Sequence, residues 1–168
     1  MTRVRPDLVL LWPSNTLFPL AGLSVLVFGV AGHDSVMTSI GIGLLALNAL
    51  IVLHYAYFTE LRIEGDELVY RTLFGTHRES VAIGSLRRVD AKRYPGAHSG
   101  VSAPHFVARG RTTNVKVNTK PYRLHDFERL IATLRVANAH FELDPFWSRV
   151  AAGEDVTKEV ALTPRSRW

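Results

Sequence analysis

Leu8 to Gly32 and Ser35 to Thr59 contain no Asp, Glu, Lys or Arg, and nothing else in the chain restricts its fold as much. Each stretch is 25 residues long. A helix of that length reaches about 37 Å at 1.5 Å per residue, more than the roughly 30 Å hydrocarbon core of a bilayer. Only Gly32-His33-Asp34-Ser35 separates the two. The pattern predicts a two-helix transmembrane hairpin, with spans at about 16–32 and 35–58, joined to a polar domain. Val30-Ala31-Gly32 offers small residues such as a signal peptidase uses. The apolar region is long for a signal, however, and a second span follows at once.

The flanks orient the hairpin. Arg3 and Arg5 precede the first stretch, Arg62, Arg71 and Arg78 follow the second, and the turn between holds His33 and Asp34. The positive-inside rule therefore predicts a multi-pass protein of a bacterial inner membrane, with both termini and the main domain cytoplasmic. Pro13, Ser14, Asn15 and Thr16 interrupt the first stretch, and Ser14 or Asn15 suits a helix N-cap. The first helix is expected to start near Thr16, with Leu8 to Trp12 at the interface, unless Pro13 merely kinks a longer helix. Tyr55, Tyr57 and Phe58 form an aromatic belt at the end of the second helix.

Ser35, Ser39 and Gly43 repeat every four residues on one face of the second helix, spacing that lets helix backbones approach closely in lipid. The first helix, offering Gly22 and Gly29, is the nearest partner; Gly41 points elsewhere and leaves a second packing face open. Asn48 and His54 are the strongly polar side chains of the second span. Asn48 is expected to make an interhelical hydrogen bond, and His54 to be hydrated or hydrogen-bonded. A bis-histidine haem would need a second membrane histidine, which the spans lack.

Beyond Thr59 the pattern turns to period two. Leu61 and Ile63 alternate with Glu60, Arg62 and Glu64, and Gly65-Asp66 is a two-residue hairpin turn. Strands are expected at Glu67 to Phe74, His77 to Ile83 and Leu86 to Arg93, with turns at Gly75-Thr76 and Gly84-Ser85, as an antiparallel meander. Tyr94 to Pro104 reads as a loop, and His105 to Arg109 with Asn114 to Thr119 as a further hairpin. Leu124, Phe127, Ile131 and Leu134 then repeat at helical spacing to about Asn138. Asp144-Pro145 and Gly153 bracket a short helix carrying Phe146 and Trp147. With Phe141, these aromatics either dock on the domain or form an edge for a partner. Glu154 to Trp168 reads as a polar tail that orders against something else.

Strands from Leu61 to Asn118 followed by one capping helix resemble a bacterial pleckstrin-homology-like (PH-like) domain. The resemblance rests on Leu61-Arg-Ile-Glu-Gly-Asp-Glu-Leu-Val-Tyr, on Ser80-Val-Ala-Ile-Gly-Ser-Leu-Arg-Arg-Val and on the terminal helix, and covers residues 59–140. It implies a binding or scaffolding module without catalytic residues. Phosphoinositide-binding members place Lys and Arg around a long loop between the first two strands. Here that loop is the minimal, acidic Gly65-Asp66, so general attraction to anionic lipid is expected instead of specific headgroup recognition. The overall expectation is an α+β membrane protein divided as hairpin (1–59), PH-like domain with its capping helix (60–140), and short aromatic helix with tail (141–168).

The charge of +5 lies in the polar part. Between Asp90 and Asp126 stand Lys92, Arg93, Arg109, Arg111, Lys116, Lys120 and Arg123, with no acid among them. Such a run is a solvated face, or it meets anionic lipid headgroups or a protein; no nucleic-acid motif accompanies it. Absence of cysteine excludes disulfides, thiolate catalysis and Cys-ligated metals. The seven histidines fall into no ligand spacing, the Gly-rich segments lack a P-loop context, and no nucleophile elbow or carboxylate pair appears. The sequence therefore predicts a non-enzymatic, membrane-tethered interaction module without cofactor. Its partners are integral-membrane proteins, on which it docks as an accessory subunit, and anionic lipid headgroups; Ser35, Ser39, Gly43 and Asn48 pack helices, while the basic run, Phe146 and Trp147 meet the membrane surface or the partner. A free-standing regulator binding anionic lipid or a peptide is the alternative, and a small membrane enzyme or transporter component the remoter one.

Overall fold

The computed structural model describes residues 2–92 and 104–156, and among them the chain is α+β, with four α-helices and two four-stranded sheets. Arg93 and most of the expected Tyr94–Pro104 loop lie outside the described residues, as does the tail from residue 157.

The N-terminal segment is part of the β domain. Arg3–Val4 form a short strand, β1, which pairs antiparallel with β2 (Glu60–Glu64) in the register Arg3↔Arg62 and Val4↔Leu61. Val4 is 1% exposed, the Thr2 carbonyl accepts from the Ile63 N–H at 3.1 Å, and the Thr2 and Thr133 hydroxyls meet at 3.0 Å. The whole apolar hairpin is therefore an insertion between two neighbouring strands of one sheet. Its two ends leave and rejoin the domain side by side.

Within the hairpin, α1 (Trp12–Ala31) starts four residues before the expected Thr16. Pro13 falls in the first turn, where the missing N–H has no intrahelical partner to lose, so proline opens this helix instead of breaking it. Asp34 caps α2 (Ser35–Leu53), its Oδ1 accepting from Val36 and Met37 N–H at 2.9 and 3.0 Å. α2 continues through one π-helical turn, His54–Phe58. The helices run antiparallel, Gly29 against Thr38 and Gly22 against Leu44 and Leu45.

The contact with α1 is made by a different face of α2 from the one expected. Ser35, Ser39 and Gly43 are exposed, and Gly43 has nothing within 4 Å of where a Cβ would stand. Gly41 is the buried glycine, so close to Leu26 that a Cβ would meet its backbone N at 2.6 Å. Two faces carried small residues, and the one facing Gly29 and Leu26 is the one that closes. Among the described residues the Asn48 Oδ1 is shielded and accepts no hydrogen bond. Gly41→Ala should therefore cost about 1–3 kcal/mol by forcing the helices apart. Gly43→Ala should be neutral or mildly stabilising, since alanine is the better helix former. Thermal melts of both variants in mild detergent check this, and equal melting temperatures would contradict the assigned interface.

In the first sheet β2 is followed by β3 (Glu67–Thr72) and β4 (His77–Ala82), in the order β1-β2-β3-β4. Gly65 (φ 56°) makes the two-residue turn between β2 and β3. The meander stops there. Ile83–Ser85 form a 3₁₀ turn, with Ile83 and Leu86 buried, and the Asn138 amide donates to the Ile83 and Leu86 carbonyls at 2.8 and 3.0 Å. The chain therefore swings away, and the expected fourth strand opens a second sheet. That sheet has the order β7-β6-β5-β8, from β5 (Arg88–Lys92), β6 (His105–Arg109), β7 (Asn114–Val117) and β8 (Glu142–Leu143), the last pairing parallel with β5. Leu61, Leu68 and Val81 from one sheet and Val89, Phe106, Ala108, Val115 and Val117 from the other share one core. The helix α3 (Leu124–Ala137) covers it with Leu124, Phe127, Leu130, Ile131 and Leu134, the last four 0% exposed. The short α4 (Pro145–Ala151), capped by Asp144, packs beside α3.

Candidate docking surfaces at the base of the hairpin

Because Thr59 runs straight into β2, the Glu60↔Arg71 end of the first sheet lies beside the hairpin, and the Gly65-Asp66 turn lies at the far end. His54 ties this junction together. Its Nδ1 accepts from the Phe74 N–H at 3.2 Å, which leaves the proton on Nε2, facing the Thr59 hydroxyl at 3.2 Å and the Thr72 hydroxyl at 3.4 Å. Both ring nitrogens thus help hold the turn after β3 against the end of α2, a hydrogen-bonded histidine. The Phe74 ring stacks on His54 and Phe58 at centroid distances of 4.9 and 5.5 Å.

That turn spans Leu73 to Thr76, two residues earlier than expected, because β3 ends at Thr72. Leu73 (φ 49°) and Phe74 (φ 57°) both hold left-handed backbone, followed by Gly75 (φ 80°). A bulky residue there costs about 1–2 kcal/mol, and turns of this kind favour Asn-Gly. The two strained side chains remain largely exposed, Leu73 at 59% and Phe74 at 49%, as does Tyr57 of the π-helical turn at 70%. An open apolar groove of about 450 Å³ runs from Phe74 along His54 and Tyr55 to Phe18, Leu47, Leu50 and Ile51. Sequence reasoning placed the turn at Gly75-Thr76 and missed its extension, because Leu73 and Phe74 read as the end of a strand. The available signal was an apolar pair just before Gly75, where a hairpin tip wants polar residues.

The basic run divides between the two ends of the domain. The Asp7 N–H donates to the Pro121 carbonyl at 2.6 Å and its carboxylate pairs with Arg123 at 2.5 Å, placing the β7–α3 connection at the hairpin end. Lys120, exposed, stands in that connection, and Lys116 and Lys92 lie on the outer face of the second sheet toward the same end. Burial, helped by the charges of Lys116 and Lys120, pushes the His105 imidazole below its ordinary value. Arg109 and Arg111 are at the opposite end, in the β6–β7 turn, where Gly110 abuts Val81 and Ser85. Arg109 and Arg88 both pair with Asp90, which neutralises that corner in part.

Phe146 and Trp147 take the first of their two expected roles. They are 5% and 0% exposed, so they are core residues and meet no partner. Trp147 packs edge-on to Phe106 at 5.1 Å and to Phe146 at 5.0 Å, and its Nε1–H donates to the Asp90 carbonyl at 3.2 Å. An indole with its N–H satisfied by a strand carbonyl is at home in a core.

On the outer face of the first sheet Arg3, Arg62, Arg71 and Arg78, four of the arginines used to orient the hairpin, are paired. Glu60 holds Arg3 and Arg62, and Glu64 holds Arg62, Arg71 and Arg78. Desolvation works to raise the Glu64 carboxyl, but the Arg62 hydrogen bond and the charges of Arg62, Arg71 and Arg78 outweigh it and hold it below its usual value. A depressed carboxylate stabilises the fold above its unfolded value of about 4.3 and loses that stabilisation as pH falls through the folded one. The melting temperature should accordingly fall below about pH 4.3, and Glu64→Gln should flatten part of the drop. Parallel curves for the two proteins would remove Glu64 from this role.

Among the described residues no three of His, Asp and Glu gather as metal ligands. Among the described residues one helix, Ser35–Phe58, is long and apolar enough to cross a membrane, with mean hydropathy 2.3 over its most apolar window and 6% of that window buried; the apolar segment Thr16–Ala31 is shorter. No protein-family model, curated protein or solved structure matches the chain.

Proposed function

We propose that this chain is a membrane-anchored, non-enzymatic interaction module of a bacterial inner membrane. Its hairpin crosses the bilayer, and its PH-like domain sits on the cytoplasmic face as an accessory subunit of a larger integral-membrane complex. One observation carries the reading: outside its seam with α1 the apolar helix Ser35–Phe58 is left uncovered by the rest of the molecule, while both ends of its hairpin are stitched into one sheet. A cover for the helix must come from outside, and whatever covers it sits against the domain.

Two small sheets and a capping helix support the PH-like assignment. The Gly65-Asp66 turn, short and acidic, lies away from the hairpin, which argues against headgroup-specific binding there. The exposed Ser35, Ser39 and Gly43 face favours a helical partner in lipid, since small residues permit close approach. The alternative, a free-standing lipid-binding regulator, draws on Lys92, Lys116 and Lys120 lying toward the hairpin end, each worth about 1 kcal/mol near an anionic surface.

The chain has no cysteine, so single-cysteine variants report topology cleanly. In intact cells, an impermeant maleimide should label His33→Cys and should reach Arg111→Cys only after lysis. Labelling of both from the same side would sink the hairpin. Purification in mild detergent with mass spectrometry of co-eluting proteins separates the subunit from the free-standing regulator.

A further inference from the structure

We infer that the Leu73–Phe74 turn is a third membrane contact, one that dips into the interfacial layer of the bilayer beside the end of α2 and fixes the tilt of the domain. The inference rests on the membrane reading proposed above and adds to it a lipid-contacting site outside the spans.

Three observations converge on it. First, the turn holds two large apolar side chains in left-handed backbone, a conformation suited to Gly or Asn, and the fold leaves Leu73 exposed and Phe74 half-exposed. Local sequence and local structure disagree here, as they do where a site serves something other than stability. Second, the turn is continuous with the hairpin. Phe74 stacks on His54 and Phe58, its N–H is held by His54, and the apolar groove runs from it onto Leu47 and Leu50 of α2. A bilayer that receives α2 up to its aromatic end meets this turn at the same depth. Third, the surroundings suit a headgroup layer: Tyr57 is exposed in the last turn of the hairpin, and Lys120 is exposed at the same end of the domain. Aromatic rings at the headgroup level with basic residues just outside are the usual arrangement at a membrane boundary. Apolar tip, aromatic neighbours and a cation at the hairpin end together select a lipid surface over a soluble protein.

The test uses the full chain in phosphatidylcholine–phosphatidylglycerol vesicles, with nitroxide labels on single cysteines at Leu73, at Ile42 within α2 and at Asp66 in the far turn. Collisional accessibility to oxygen and to a water-soluble nickel chelate gives the depth of each. The expected result is lipid-like accessibility at positions 42 and 73 and aqueous accessibility at 66. An aqueous reading at 73 with a lipid reading at 42 overturns this inference alone, whereas aqueous readings at both overturn the membrane reading with it. A second arm places the label at Thr76 with and without Leu73→Asn, a change that the left-handed backbone favours and that keeps Phe74 on His54. With circular dichroism unchanged, the label should move toward water in Leu73→Asn. An unchanged depth would show that Leu73 does not hold the turn in the bilayer, and the inference would fall.

Discussion

Val4→Asp should unfold a domain whose remaining strands begin 56 positions later, at Glu60. Val4 is 1% exposed and sits in the core opposite Leu61. A carboxylate there must shed its water without a partner, or take up a proton and remain an unsatisfied polar group. An uncompensated buried charge costs about 3–5 kcal/mol, and a domain of this size loses roughly 4–8 °C of melting temperature per kcal/mol. The melting temperature in mild detergent should therefore drop by more than about 12 °C. Arg5→Ala, one residue on at an exposed position, should leave it unchanged. If Val4→Asp melts like the parent, β1 is not paired in solution.

Trp147→Ala distinguishes a core residue from a partner contact. Its indole is fully buried among Phe106, Phe127 and Phe146 and donates to the Asp90 carbonyl. Truncation should cost about 3–5 kcal/mol, through lost burial and the cavity left behind. It also strands α4 from the strand to which the hydrogen bond ties it. Limited proteolysis and thermal melts should both show the loss. A melting temperature that did not move, with binding to a co-purifying protein abolished, would return Trp147 to the surface.

Elements with a strong period were legible in the sequence. Leu124, Phe127, Ile131 and Leu134 mark α3 because a 14-residue helix repeats its buried face several times, and β2 shows itself through the alternation of Leu61 and Ile63 with charged neighbours. β1 did not, since two residues with one inward side chain have no period to detect. The helix interface was ambiguous for a different reason. Residues four apart define a face only up to the choice of partner, and both Gly41 and the Ser35–Gly43 stripe qualified until α1 presented Gly29 and Leu26. The basic run misled because sequence proximity is not spatial proximity in an antiparallel sheet. Strands of four or five residues carry Arg109 and Arg111 to one end and Lys116 and Lys120 toward the other within a dozen positions. The turn at Leu73 was hidden because its residues are wrong for a turn and right for the surface proposed for them.

The hairpin's position between β1 and β2 bears on how such a chain is made. β1 is synthesised before the helices and its partner after them, so the strand waits while the two helices emerge. With the hairpin in a bilayer as proposed, β1 and β2 meet only if both flanks remain on one side. A chain threaded with its first residues across the membrane would leave Leu61 without Val4, Glu60 without Arg3 and Thr133 without Thr2. Closure of the sheet thus works as a proofreading step on insertion: a wrongly threaded molecule cannot complete its core, and it presents an open strand edge to quality-control proteases.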